Sequence, residues 1–388
     1  MTDIKDAASE RAPAAGADAG VAFANPFLWS LFAAVTASDA AAAFLRDIAS
    51  SLLEAGAAAE HGHAPCWTTP NRIALELPTM RLRDFSAPAQ ARAPATLVCA
   101  PFALHCADIA DFAPGHSLVE TLLQRGGRLL VTDWRSATPV MRYLSIDSYL
   151  ADLNVAVDEA GPPIDLIGLC QGGWLALIYA ARFPDKVRRL VLAGAPIDIA
   201  AGQSRLSQLS ADLPFDVFEE LVRAGNGLVL GQAVRALWTP MLGAQAIDDV
   251  LQLPRDTAPA ARVALEQRFR EWDAATVNLP GAYYLEVVRD IFKGNRLAKG
   301  ELVALGRKVE LSQVRHPLFL LAARDDELVH PQQLFAAARL VATPAAEIET
   351  ATEPCSHLGL FLGAGSVARH WRRIAQWLAA PPAQSAAA

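Results

Sequence analysis

The chain has 388 residues, 53% of them hydrophobic and 19% charged, against usual shares of about 45–50% and about 25%. So large an apolar share excludes a chain disordered throughout, because enough surface is available for burial to offset conformational entropy. Its 34 Lys and Arg against 41 Asp and Glu leave a net charge of −7, which speaks against a nucleic-acid-binding face.

Residues 1–24 are rich in Ala and Gly with scattered charge, and are expected to be disordered. Asp3, Lys5, Asp6, Glu10 and Arg11 are intermixed there, unlike the basic-then-apolar order of a secretory signal. Residues 25–94 read as a helical arm followed by the first strand or strands. Phe27, Leu28, Leu31, Phe32 and Val35 fall at helical spacing, and Ile73–Leu77 alternates as a strand does. Asn25, Pro26 and Asp39 interrupt the apolar stretch, so no transmembrane segment is expected.

From Ala95 short apolar runs alternate with helical patterns. Ala95–Pro101, Arg128–Asp133, Ile164–Gly168 and Val187–Ala193 are the runs; Gly115–Arg125, Tyr149–Ala160 and Gly173–Phe183 lie between them. Pro317–Ala323 and Glu347–Thr350 begin two further units. Buried strands alternating with helices predict an α/β fold with a mostly parallel sheet covered on both faces. The expected core comprises 95–199 and 306–380. Between them 200–305 loses the strand rhythm and reads as an inserted helical lid, and 381–388 as a disordered tail. Five widely spaced cysteines make neither a disulfide framework nor a zinc pattern, and no metal is expected; a reducing cytoplasm suits them.

At the junction of a predicted strand and helix stands Gly168-Leu-Cys-Gln-Gly172, a G-x-S-x-G nucleophile elbow with cysteine in the serine position. A nucleophile there projects from a tight turn, with the positive end of a helix favouring a thiolate. The backbone N–H of Gln171 and of Phe102 or Ala103 are the expected oxyanion donors. A buried, merely packed Cys170 is the bland alternative. The α/β-hydrolase order then asks for an acid and a histidine. Asp326 follows the strand ending at Ala323 and is preferred to Asp325 because it stands three residues before Val329. His357, in the small-residue turn Cys355-Ser-His-Leu-Gly359, is the candidate base. His105 beside the oxyanion loop and Trp174 one turn into the elbow helix are candidate substrate-binding residues, with packing as the alternative for each.

The elbow Gly168-Leu-Cys-Gln-Gly-Gly173 resembles the lipase-like box of polyhydroxyalkanoate synthases, which carry cysteine where lipases carry serine. Asp133-Trp134, Leu144–Tyr149, Asn278–Gly281, Gly294–Leu302, Gly306–Leu311, Asp326–Val329 and Ser356–Gly359 continue the resemblance in order over about 95–378. It implies an α/β-hydrolase fold, a lid and a Cys170–His357–Asp326 triad. It also implies transfer of 3-hydroxyacyl groups from coenzyme A through an acyl-cysteine to a polyester chain. Trp174 departs from the synthases' usual threonine, and Ser356 from their usual glycine. Gly194–Asp198, Tyr283–Phe292 and Thr132–Trp134 look like intracellular polyhydroxybutyrate depolymerases, which hydrolyse or thiolyse the polymer with the same triad.

The expected activity is therefore synthase-like acyl transfer, with a depolymerase or a small-substrate esterase or thioesterase as the alternative and a non-catalytic granule binder as a third reading. No cofactor is expected beyond a coenzyme A thioester as substrate. The expected partners are hydroxyacyl-coenzyme A or polyhydroxyalkanoate polymer, a granule surface in the cytoplasm, and a second copy or partner subunit.

Overall fold

The apolar runs pair into one eight-stranded sheet, seen in a computed structural model that describes residues 67–87, 94–232, 234–235 and 247–381. The expected disordered start, the helical pattern over 27–58 and all but the first residue of the 381–388 tail lie outside the described residues. The strands are β1 (Arg72–Glu76), β2 (Met80–Asp84), β3 (Thr96–Cys99), β4 (Leu129–Trp134), β5 (Ile164–Leu169), β6 (Val187–Ala193), β7 (Leu318–Ala323) and β8 (Ile348–Glu353). Their order is β1-β2-β4-β3-β5-β6-β7-β8, parallel from β4 to β8, with β2 antiparallel to both β1 and β4. Every residue of β3, β4, β5 and β7 is buried, as a sheet covered on both faces requires.

The helices that cover the sheet are α1 (Leu118–Leu123), α2 (Ile146–Ala160) and α3 (Gln171–Arg182). Helix α3 is buried from Gly172 through Ala181 and lies at the centre of the core. The segment expected to be helical from Gly115 is helical only from Leu118. His116–Ser117 instead pairs with Asp111–Ala113, and the Ser117 hydroxyl caps α1 by accepting from Glu120 N–H at 2.9 Å. Buried Asp111 holds this corner, accepting from the N–H of Thr68 and Thr69 at 2.9 and 2.7 Å and from the Ser117 hydroxyl at 2.6 Å.

Strand β2 was not expected from the sequence. Met80 and Leu82 are fully buried, whereas Arg81 and Arg83 point outward to Glu76 and Asp133. Between β6 and β7 the chain leaves the sheet and forms α4 (Arg205–Asp212), α5 (Phe215–Ala224) and α6 (Pro259–Ala274). Two short ladders accompany these inserted, lid-like helices, Leu228–Val229 with Leu279–Pro280 and Val303–Ala304 with Arg307–Lys308. The Gly294–Leu302 stretch ties the insertion to the chain leaving β6: the Asn295 amide donates to Asp198 at 2.8 Å and accepts from Ile199 N–H at 3.1 Å. No helix among the described residues is long and apolar enough to cross a membrane.

Candidate active site

Cys170 stands between the end of β5 and the start of α3 with φ 48° and ψ −119°, a left-handed backbone for a non-glycine residue. Such a conformation costs on the order of 1–3 kcal/mol and persists only where its surroundings impose it. Here Cys170 N–H donates to Ala193 O at 2.8 Å, and Gly173 N–H donates to Cys170 O at 2.9 Å. Helix α3 also approaches β3 so closely that a Cβ at Gly172 would collide with the Cys99 carbonyl oxygen. Gln171 N–H heads α3, where helical geometry provides it with no intrahelical acceptor.

Cys170 is half-buried, whereas Cys99, Cys106 and Cys355 are buried. Burial pushes the Cys99 and Cys106 thiols up to about 12, and moves Cys355 in the same direction with help from Glu353 and Asp326. Among the described cysteines, Cys170 is the accessible one.

The acid and the histidine come from the ends of adjacent strands. Beyond β7, Asp326 turns inward while Asp325 remains exposed and pairs with Arg324 at 3.2 Å. Asp326 Oδ1 accepts from Leu328 N–H at 2.9 Å and Val329 N–H at 2.8 Å, and its Oδ2 meets His357 Nδ1 at 2.8 Å. His357 is buried beyond β8; its own N–H donates to Glu327 Oε2 at 3.2 Å, and its ring lies edge-on to Phe361. The Cys170 side chain stands near enough to influence the ring's proton affinity. Burial alone would lower the imidazole's proton affinity. The charges of Asp326 and Cys170, with the hydrogen bond to Asp326, outweigh it and hold the pKa well above 6.5. A hydrogen-bonded Asp326–His357 pair acting on a neighbouring thiol is an arrangement that can activate a sulfur nucleophile and shuttle its proton.

The loop after β3 is held from both sides. Ala100 N–H donates to Thr132 Oγ1 at 3.0 Å, and Trp134 Nε1 donates to Ala100 O at 2.9 Å. From the insertion, Val277 N–H donates to Leu104 O at 2.9 Å. Phe102, buried, packs its ring 4.6 Å from Tyr149 and 5.3 Å from Tyr283.

His105 faces the insertion: its Nε2 lies 3.2 Å from Asp273 Oδ1, and its ring stacks on Trp272 at 4.2 Å. Trp174 is fully buried and stacks on Tyr283, so it presents no surface to a substrate in this conformation. For both residues the packing alternative describes what the geometry shows. Glu327, Gly194 and Tyr283 were not singled out as site residues from the sequence. The left-handed Gly194 lies against His357, which no local pattern reveals.

The fold, the elbow and the buried polar chain define an enzyme of the α/β-hydrolase class, whose chemistry is that of esters and thioesters. The chain belongs to the alpha/beta hydrolase fold family, the family model matching residues 108–364. The poly(3-hydroxyalkanoate) polymerase subunit PhaC of Synechocystis sp. is 30% identical over 283 residues, covering 69% of this chain and 73% of that one. The subunit of the same name from Haloferax mediterranei is 24% identical over 327 residues, 80% of this chain but 64% of its own length, so this chain spans less than two thirds of that relative. The solved monoacylglycerol lipase of Paleococcus ferrophilus superposes with a TM-score of 0.51 at 15% identity, covering 77% of this chain and 98% of the lipase, a likeness of fold.

Proposed function

We propose that the protein is a cysteine-dependent esterase or thioesterase for 3-hydroxyacyl substrates, releasing hydroxyacyl units from a polyhydroxyalkanoate as a depolymerase does. The observation that carries this reading is the Asp326–His357 hydrogen bond, coupled electrostatically to Cys170 at a strained strand-to-helix turn. His357 takes the Cys170 proton, a step worth about 10²–10⁴ in rate. The sulfur attacks the ester or thioester carbonyl, and the charge on the carbonyl oxygen meets the N–H of Gln171 and of Phe102 or Ala103. The attack forms the S–C bond; collapse then restores the carbonyl of an acyl-cysteine and breaks the bond to the leaving alkoxide or thiolate, which receives the proton from His357. Water, deprotonated by His357, then releases the acid and restores the thiol.

Trp174 and Ser356, where synthases usually have threonine and glycine, support hydrolysis over polymerisation. A second reading, transfer of the acyl group from coenzyme A to a polyester hydroxyl, is favoured by the polymerase subunits among the relatives. Helices of 200–305 acting as a lid, and association with a granule surface as a homodimer or beside a partner subunit, belong to both readings.

The test offers purified protein 3-hydroxybutyryl-coenzyme A and, separately, amorphous polyhydroxybutyrate granules, following free thiol, soluble acid and polymer. Soluble acid lost in a folded Cys170→Ala variant is the expected result. Coenzyme A release with polymer would establish the second reading. No turnover of either substrate, with Cys170 refractory to alkylation, would overturn both.

A further inference from the structure

We propose that Tyr283, on the return limb of the insertion, is a positioning residue that sets the orientation of the oxyanion peptide between Phe102 and Ala103. The proposal rests on the reading of Cys170 as the acylated nucleophile.

The Tyr283 hydroxyl donates to the Phe102 carbonyl oxygen at 3.4 Å, long for such a bond. Catalytic hydrogen bonds in unliganded enzymes are often long and tighten in the complex. A carbonyl can only accept, so the direction of this bond is fixed. Burial pushes the Tyr283 phenol well above 10, with neighbouring Tyr149, Cys99 and Cys170 adding to it, so the hydroxyl keeps its proton. The peptide unit is planar and trans, which sets C=O and N–H pointing in opposite directions. Anchoring the Phe102 oxygen therefore turns the Ala103 N–H the other way.

The Tyr283 ring has little freedom to move. It is buried against Phe102, Tyr149 and Trp174, with centroids 5.3, 4.9 and 6.5 Å away. Its backbone follows Leu279–Pro280, which is paired to Leu228–Val229 within the insertion. The inserted segment, which already holds Leu104 through Val277 N–H, thereby also reaches the Phe102–Ala103 peptide through this hydroxyl group.

Tyr149 provides the control. It lies in the same aromatic cluster, and its buried hydroxyl has no hydrogen-bond partner. The experiment compares Tyr283→Phe with Tyr149→Phe, measuring acylation of Cys170 by a 3-hydroxybutyryl ester and alkylation of Cys170 by iodoacetamide. Alkylation displaces iodide at a saturated carbon and builds no oxyanion. Loss of one oxyanion donor outright costs about 10²–10³ in rate, so its misorientation is expected to slow acylation about 10- to 100-fold in Tyr283→Phe. KM and the alkylation rate should stay within about twofold, and Tyr149→Phe should match the parent in both reactions.

Wild-type acylation in Tyr283→Phe overturns the proposal, as does an equal loss in Tyr149→Phe. So does a parallel fall in acylation and alkylation, which would place the effect on the nucleophile or the packing. Should the parent protein alkylate at Cys170 but never acylate, the underlying reading of the site fails and the proposal fails with it.

Discussion

Asp326 grips His357 with one carboxylate oxygen and the protein backbone with the other: Oδ2 lies 2.8 Å from His357 Nδ1, while Oδ1 accepts from Leu328 and Val329 N–H. That division of labour determines what an amide would do in its place. In Asp326→Asn the two backbone donors require the amide oxygen, which leaves the NH2 facing Nδ1. The imidazole must then accept at Nδ1 and carry its proton on the side of Cys170, where it cannot act as a base. Turnover of a 3-hydroxybutyryl ester is expected to fall about 10³–10⁴-fold, the scale known for the wrong tautomer in a triad. Near-parental urea midpoints, within about 1 kcal/mol, would show that the loss is not one of folding.

Cys170 is half-buried, whereas Cys99, Cys106 and Cys355 are buried with their thiols pushed upward. Only thiolates alkylate at useful rates. Limiting iodoacetamide at neutral pH should therefore label Cys170 before these three, by at least about tenfold, when tryptic peptides are quantified by mass spectrometry. His357→Gln should abolish that preference, because the base proposed to take the Cys170 proton is gone. Labelling of Cys170 no faster than of Cys99 would count against an activated nucleophile.

The raised pKa of His357 also links stability to pH. Asp326 and Cys170 hold the folded-state value well above the unfolded value of 6.5, so the native state binds this proton more tightly. The corresponding stabilisation is full below about 6.5 and is lost as pH rises through the folded-state value. Urea unfolding of the parent and of His357→Gln, compared from pH 5.5 to the alkaline limit of reversible unfolding (roughly the range over which histidine linkage operates), should show the parent's advantage shrinking as pH increases. An advantage growing with pH would mean that burial, not Asp326, dominates the imidazole.

The elbow and the acid–histidine pair were legible because each is local: a nucleophile between glycines, and a polar turn after an apolar strand, in the order this fold requires. Strand β2 was not, since Met80-Arg-Leu-Arg-Asp84 offers only two apolar residues, closes on a buried Asp84, and has its partner β4 far along the chain. His105 and Trp174 sit near the site in sequence, yet Asp273 and Tyr283, from the insertion, claim their side chains. Such contacts carry no local signal. Tyr283 was not singled out as a site residue for the same reason, its partner Phe102 standing 181 residues away in sequence.

Gly194 is the case where one residue's backbone sets the place of the side chain proposed as the base. It follows β6 at φ +54°, and a Cβ there would lie 3.1 Å from Phe361 Cζ, 3.2 Å from Leu360 Cδ2 and 3.3 Å from His357 Cε1. Gly115, at φ +75°, has nothing within 4 Å of the same point. Alanine at either position pays the left-handed penalty of about 1–2 kcal/mol. Only at 194 must the neighbours also shift by a few tenths of an ångström, and one of those neighbours is the imidazole. Gly115→Ala is therefore expected to lose about 1 kcal/mol of stability and keep its turnover. Gly194→Ala is expected to lose more, about 2–3 kcal/mol, and about tenfold or more in kcat, since small misplacements of catalytic groups can cost up to about 10²-fold. Urea midpoints together with initial rates, measured well below the unfolding transition, separate the two effects. Equal kcat in the two variants would mean that the imidazole is not held in place from this side.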